Sequence, residues 1–132
     1  LRDKLTERAA TLGEFLRERL ENLKQSFEIV GDVRGRGLYQ MLDIVTDKHS
    51  KTPDPEMCER IRYNALLEGI VIIAVKNFLR ICPPLIVTEA QIDEIVGRLE
   101  VAIQRAMEGF PKDVDFRESS SLASGVQRTA VN

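Results

Sequence analysis

The chain has 132 residues, 43% of them hydrophobic, and a formal net charge of −2. This length and apolar content are typical of one domain, and the near-balanced charge argues against a nucleic-acid footprint or an acidic tail. No apolar run approaches the ~20 residues that a membrane-spanning helix needs, and the charged first turns do not read as a signal peptide. We therefore expect neither nucleic acid nor membrane as a partner.

The first predicted element is an amphipathic helix over residues 2–26. Its apolar residues recur every three or four positions, with charged residues on the opposite face. A coiled coil is the alternative, but the apolar stripe stops after about four heptads, which favours packing onto a core. Because the chain opens inside this helix and lacks an initial methionine, we expect it to be a fragment of a longer protein.

Residues 28–45 change to a β pattern that is interrupted by Gly31, Gly35 and Gly37. Glycine inside a strand marks a bulge or a close approach of the backbone. Gly35 and Gly37 lack the third glycine and helix start of a dinucleotide fingerprint, so we reject a phosphate-binding loop here. We predict a strand over 36–45 and place it centrally in the sheet, because residues 38–45 are apolar on both faces.

The second half predicts a helix over 55–68, strands over 70–74 and 79–82, and a helix over 89–108. Asp54 is the expected N-cap of the second helix, and Thr88 with Gln91 forms a capping box for the third. The predicted fold class is α+β, an α/β layer in which a small, mainly antiparallel sheet carries helices on one face. Residues 1–109 would form this domain, and 110–132 a flexible tail.

Histidine and cysteine residues are too few for several kinds of site. Cys58 and Cys82 are the only cysteines, and we interpret them as free, partly buried thiols in a reducing compartment, which favours the cytoplasm. His49 is the only histidine and lies in a polar loop. Neither a zinc site nor a Ser-His-Asp arrangement is therefore expected, and no metal ligand is assigned.

Arg80 is the most informative polar residue, because it lies inside an apolar strand that Pro83 and Pro84 then end. A guanidinium in such surroundings is costly unless an anion meets it. It could pair with a carboxylate on a neighbouring strand or extend to the edge of the sheet. It could also bind an anionic ligand. The pattern alone favours the internal interpretation somewhat, since buried polar groups are usually satisfied within the protein, but it leaves both open.

Two blocks of the sequence resemble class III aminotransferases, which are pyridoxal-phosphate enzymes. Residues 80–85 read Arg-Ile-Cys-Pro-Pro-Leu, similar to the family's Arg-x-x-Pro-Pro-Leu segment. Residues 30–38 read Val-Gly-Asp-Val-Arg-Gly-Arg-Gly-Leu, similar to its Gly-x-Val-Arg-Gly-x-Gly-Leu signature. The resemblance covers residues 1–107 and corresponds to the C-terminal small domain of fold-type I enzymes. It differs at Met41, where the family usually has glycine, and at Asp43, where it has glutamate.

The resemblance implies that Arg80 binds the carboxylate of an amino-acid substrate. It also implies pyridoxal 5′-phosphate in the parent enzyme, a missing large domain that carries the catalytic lysine, and a second subunit of a homodimer. No catalytic or cofactor-binding residue is assigned to this chain, which should neither bind the cofactor nor react alone. Arg34 and Arg36 are interpreted as structural. The alternative is a stand-alone, non-catalytic α+β binding or interaction module derived from this domain.

Overall fold

Single helices alternate with pairs of strands along the chain. A computed structural model describes residues 2–109, with side chains from residue 4 onward. Its elements are α1 (Arg2–Ser26), β1 (Val30–Arg36), β2 (Tyr39–Ile44), α2 (Pro55–Leu67), β3 (Ile73–Val75), β4 (Phe78–Ile81) and α3 (Glu89–Glu108). The three predicted helices are present, and the predicted α+β class is confirmed. The tail predicted at 110–132 lies outside the described residues.

The four strands form one antiparallel sheet in the order β1-β2-β4-β3. β2 therefore lies between β1 and β4, as its apolar pattern predicted. The pairing of β1 with β2 shifts register between Val30 and Asp32, which places a bulge at Gly31. The remaining register aligns three side chains across the sheet, because Arg34 faces Met41 and Met41 faces Arg80.

Two strand predictions were wrong in their bounds. The sequence predicted one strand over 36–45, whereas β1 is a separate strand at Val30–Arg36 and β2 ends at Ile44. The turn at Gly37 and Leu38 divides them, and Gly37 has φ +54° there. The strand predicted at 70–74 is β3 at Ile73–Val75. α2 ends at Leu67, and residues 68 and 69 form the turn after it, where the Ile70 N–H donates to the Ala65 carbonyl.

Local capping fixes where the last two helices begin. The Asp54 carboxylate accepts a hydrogen bond from the Met57 N–H at 3.1 Å, and Pro55 occupies the first turn of α2. The Thr88 hydroxyl accepts from the Gln91 N–H at 3.1 Å, and the Gln91 side chain accepts from the Thr88 N–H at 3.0 Å. This is the predicted capping box. Both starts follow from contacts within three residues.

The helices cover one face of the sheet and form the core with it. β2 and β4 supply Leu42, Ile44, Leu79 and Ile81, and the helices supply mainly leucine, isoleucine and alanine. On α2, Leu66 is 46% exposed, because it lies about 100° further around the helix than buried Ala65. Within residues 2–109, no helix is both long and apolar enough to cross a bilayer.

Candidate functional site

The sheet face opposite the helices carries Arg80. In β4, Leu79 and Ile81 are buried toward the helices, so Phe78 and Arg80 point to the other face, since side chains alternate along a strand. The strand ends at Ile81, and Pro83 and Pro84 follow. We call this surface the open face. It includes Arg34, Tyr39, Met41, Asp43, Ile73, Val75, Phe78 and Arg80.

Arg80 is half-buried and lies between two apolar side chains. Met41 on β2 and Ile73 on β3 are its direct cross-strand neighbours. Directly opposite residues of an antiparallel pair have Cβ atoms about 4.5–5.5 Å apart, so both side chains can flank the aliphatic part of the arginine. The charge is thereby presented from an apolar strip of the sheet, where water screens it less than at a fully exposed site.

The Arg80 guanidinium is not neutralised within residues 4–109. Its Nε is buried and has no hydrogen-bond partner there. Arg34, by contrast, lies 2.6 Å from Asp43 and 3.4 Å from Asp32. Arg34 therefore has the structural role that the sequence suggested. The pairing of Arg80 with a carboxylate on a neighbouring strand is not formed in the described part of the chain.

Asp43 is the nearest acidic side chain to Arg80 along the sheet. It is 7% exposed, and only its Oδ2 is bonded, to Arg34. Burial raises the pKa of Asp43 above its ordinary value, although the positive charge of Arg34 opposes this. Its Oδ1 is buried and has no partner among the described residues. The open face thus contains a free cationic group and a half-satisfied carboxylate.

Arg8 binds the segment that follows Arg80, a contact that no pattern in the sequence predicted. Its Nε donates to the Leu85 carbonyl at 3.1 Å, and its Nη2 donates to the Val87 carbonyl at 3.0 Å. Arg8 lies near the start of α1, 77 residues away from Leu85. Because an exposed arginine near the start of a helix is ordinary, no local pattern could have identified it.

Gly13 is a second residue that sequence reasoning missed. A Cβ at this position of α1 would collide with the backbone of Gly37, in the turn between β1 and β2. The glycine lets the helix contact that turn directly. Beside it, the guanidinium of Arg17 donates to the Val33 carbonyl at 3.0 Å. Together these contacts hold α1 against β1, and they fix the sheet that carries Arg80.

Within residues 4–109, no lysine is buried. The cofactor requires a lysine in a largely enclosed site, together with an acid for its ring nitrogen. Lys4, Lys51 and Lys76 are exposed, while Lys24 and Lys48 are half-buried and bond to groups of this domain. No group of three or more residues that could hold a metal is present within 2–109.

The two cysteines are free, as predicted, but differ in exposure. Cys58 is buried in α2, and burial raises the pKa of its thiol to about 12. Cys82 was expected to be partly buried, and it is exposed. It follows Arg80 by two residues, so the chain has left the sheet by then and the helices no longer cover it.

The profile of the family described as aminotransferase class-III matches residues 1–103 of this chain. An alanine/serine racemase of Pyrococcus horikoshii is 36% identical over 110 residues, covering 81% of this chain and 23% of that protein. A taurine–pyruvate aminotransferase of Bilophila wadsworthia is 35% identical, covering 83% and 26%.

A solved structure supports the same relationship. The aminotransferase of Vibrio fluvialis in its PMP-bound form aligns with a TM-score of 0.76 at 31% identity, covering 84% of this chain and 25% of that one. The chain thus spans about a quarter of the length of these relatives. From the profile match and these identities, the chain belongs to the class III aminotransferase family.

Proposed function

We propose that this chain is the C-terminal small domain of a longer pyridoxal-phosphate-dependent enzyme, in which Arg80 binds the carboxylate of an amino-acid or keto-acid substrate. The observation that carries the proposal is the free guanidinium on the open face, whose buried Nε has no partner among residues 4–109. Because an unpaired buried donor is costly, a ligand that meets it is favoured.

The chemistry of the site suits a carboxylate. A guanidinium offers parallel N–H donors whose spacing matches two carboxylate oxygens, and such charge-assisted bonds are stronger where water is excluded. The names of the relatives agree with this substrate class, since alanine, serine and pyruvate all carry a carboxylate. Because the substrates named for the racemase and the aminotransferase both include a carboxylate, the proposal for Arg80 applies to either reaction.

The catalytic groups are proposed to lie outside this chain. None of the five described lysines is buried, and the chain spans only about a quarter of its relatives. The longer protein would supply the lysine and the other cofactor contacts, and would act as a cytoplasmic homodimer. The open face, with Ile73 56% exposed and Tyr39 45% exposed, is where the large domain would pack.

The test of Arg80 is its replacement in the full-length protein that carries this chain. Arg80→Ala should raise KM for the amino donor and lower kcat/KM by roughly 30-fold or more, on the order of 2–5 kcal/mol. Arg80→Lys should recover only part, because a point charge cannot reproduce the planar fork. Cofactor content, measured by absorbance, should stay unchanged in both variants.

A purely structural role would give a different result. If Arg80→Ala lowers the amount of folded protein but leaves the kinetics per folded molecule unchanged, the substrate role is wrong. The Arg8→Ala variant is the matched control, since among residues 4–109 the Arg8 guanidinium donates to the backbone carbonyls of Leu85 and Val87, after Arg80 in the chain. It should lower stability without the selective rise in KM.

The proposal that the chain is incomplete has its own test. After mixing with pyridoxal phosphate, the 132-residue chain should lose the cofactor on gel filtration, and borohydride reduction should not fix it on a single lysine. Specific labelling of one lysine, accompanied by turnover, would show that the chain contains its own catalytic site. A natural transcript that encodes only this chain would instead support the non-catalytic module.

A further inference from the structure

Arg36 and Tyr39 lie on the open face, and neither side chain is bonded within residues 4–109. They are directly opposite each other, at the ends of β1 and β2 that the turn joins. Residues directly opposite in an antiparallel pair share one face of the sheet. The sequence suggested a structural role for Arg36, but its exposed guanidinium contacts no acid or carbonyl in the described part of the chain.

The sheet register places this pair beside Arg80. Met41 is directly opposite Arg80, and Tyr39 lies two residues before Met41 on the same strand, so Tyr39 is a diagonal neighbour of Arg80. Diagonal neighbours in an antiparallel pair are about 7–8 Å apart, within reach of long side chains. Arg36, on the edge strand β1, continues the same diagonal beyond Tyr39. The order across the face is therefore arginine, tyrosine, arginine.

This end of the open face presents hydrogen-bond donors without a nearby acid. A guanidinium can only donate, and a phenolic hydroxyl can donate as well. Asp32 and Asp43 lie toward the opposite end of β1 and β2, where both pair with Arg34. Two unpaired cations with a hydroxyl between them suit an anion, and their spacing along a diagonal suits one that carries two separate negative groups.

We propose that Arg36 and Tyr39 form a second anion subsite, which binds the distal carboxylate of a dicarboxylic substrate whose first carboxylate is bound by Arg80. The inference rests on the proposed function of Arg80 and names its substrate class: amino or keto acids with two carboxylates separated by a short carbon chain. Arg36 supplies paired N–H donors that match two carboxylate oxygens, and Tyr39 adds an O–H donor.

The strength of this subsite depends on the rest of the longer protein. In the 132-residue chain the Arg36 side chain is exposed, and water screens its charge. When a large domain covers the open face, the same donors meet a carboxylate with less water around them, and their hydrogen bonds become stronger. The preference for two carboxylates over one is therefore measured in the full-length protein.

The experiment compares glutarate with pentanoate, which has the same five carbons but only one carboxylate. Both are tested as competitive inhibitors against the best amino-acid substrate, so that the assay suits an aminotransferase or a racemase. Glutarate should bind roughly tenfold more tightly, because only glutarate can use the second subsite. Arg36→Ala should remove most of this difference by raising the KI of glutarate alone. Tyr39→Phe should lower the difference about threefold.

Further variants separate anion binding from packing. Arg36→Lys keeps the charge and should keep part of the preference. Combining Arg36→Ala with Tyr39→Phe should cost little more than Arg36→Ala alone, because both side chains bind one carboxylate. Lys76→Asn is the matched control, since it removes an exposed charge from the β3–β4 turn at the other end of the sheet. Asparagine tolerates the φ of +57° at this position, and the preference should stay unchanged.

The outcomes separate the inference from the function on which it rests. If neither acid inhibits, or if Arg80→Ala changes neither KI, the proposed function fails. If Arg80→Ala weakens both acids but the wild type binds glutarate and pentanoate equally, only the second subsite is wrong. An equal rise of both KI values in Arg36→Ala, as expected if Arg36 pairs with an acidic side chain of the large domain, also overturns it.

Discussion

On the helix-covered face of the sheet, Leu42 and Leu79 are completely buried, and Ile81 is nearly so. On the open face, which the same two strands present, Tyr39 is 45% exposed and Arg80 has an unpaired donor. Neighbouring residues of β4 thus belong to two very different environments. The helices of this chain bury one face of the sheet and leave the other exposed. Substitutions on the two faces should therefore change the stability of the fold by different amounts.

The largest expected difference is between Leu79 and Ile73. Leu79→Ala creates a cavity in the closed core and should lower the free energy of unfolding by about 2–5 kcal/mol. Ile73→Ala, on the exposed edge strand, should change it by no more than about 0.5 kcal/mol. Urea unfolding of the 132-residue chain, at a concentration low enough to suppress self-association, measures both.

The full-length protein sharpens this comparison. If other parts of the protein cover the open face, Ile73→Ala should cost more there than in the 132-residue chain, whereas Leu79→Ala should cost the same in both. An equal, small effect of Ile73→Ala in both proteins would mean that the open face stays exposed to solvent.

The next effect tests how closely α1 approaches the sheet. Gly13→Ala places a methyl group against the Gly37 backbone and should lower the free energy of unfolding by about 1–3 kcal/mol. Gly97→Ala in α3 is the matched control, because a Cβ there meets no atom within 4 Å. That variant should raise stability by up to about 1 kcal/mol, since alanine favours a helix. In thermal unfolding, Gly13→Ala should lower the melting temperature and Gly97→Ala should raise it.

The smallest effect concerns the pH dependence that Asp43 contributes. Burial raises its pKa above 3.8 in the folded chain, so the folded state binds the proton more tightly than the unfolded state. The contribution of Asp43 to stability is therefore fully present below pH 3.8 and is lost as pH rises through the raised pKa. The stability of the wild type minus that of Asp43→Asn should fall over this window.

Asp47 provides a control of opposite sign. Hydrogen bonds from the Ser50 N–H and hydroxyl lower the pKa of this exposed carboxylate. Its contribution is present above pH 3.8 and is lost as pH falls through the lowered pKa. The wild-type stability minus that of Asp47→Asn should therefore rise with pH. If the stability difference between wild type and variant rises with pH for Asp43→Asn as it does for Asp47→Asn, Asp43 is not desolvated on the open face.

Much of the fold could be predicted because the signals that specify it are local. The caps at Asp54 and Thr88 involve groups within three residues, and the apolar stripes of α1 and α3 repeat within one helix. The two strand predictions with wrong bounds, over 36–45 and 70–74, concern strands whose ends depend on pairing with a neighbouring strand. Strand ends are decided by the partner strand, which a local pattern does not contain.

The sequence by itself determined the three helices, the α+β class, the family resemblance and Arg80 as the residue of interest. Only the tertiary structure showed that Arg34, rather than Arg80, pairs with Asp43, and that Met41 lies between the two arginines. It also revealed the contact of Gly13 with Gly37. The physical reason is the same in each case: ion pairing and close packing depend on distances across the sheet, and residues far apart in the chain set these distances.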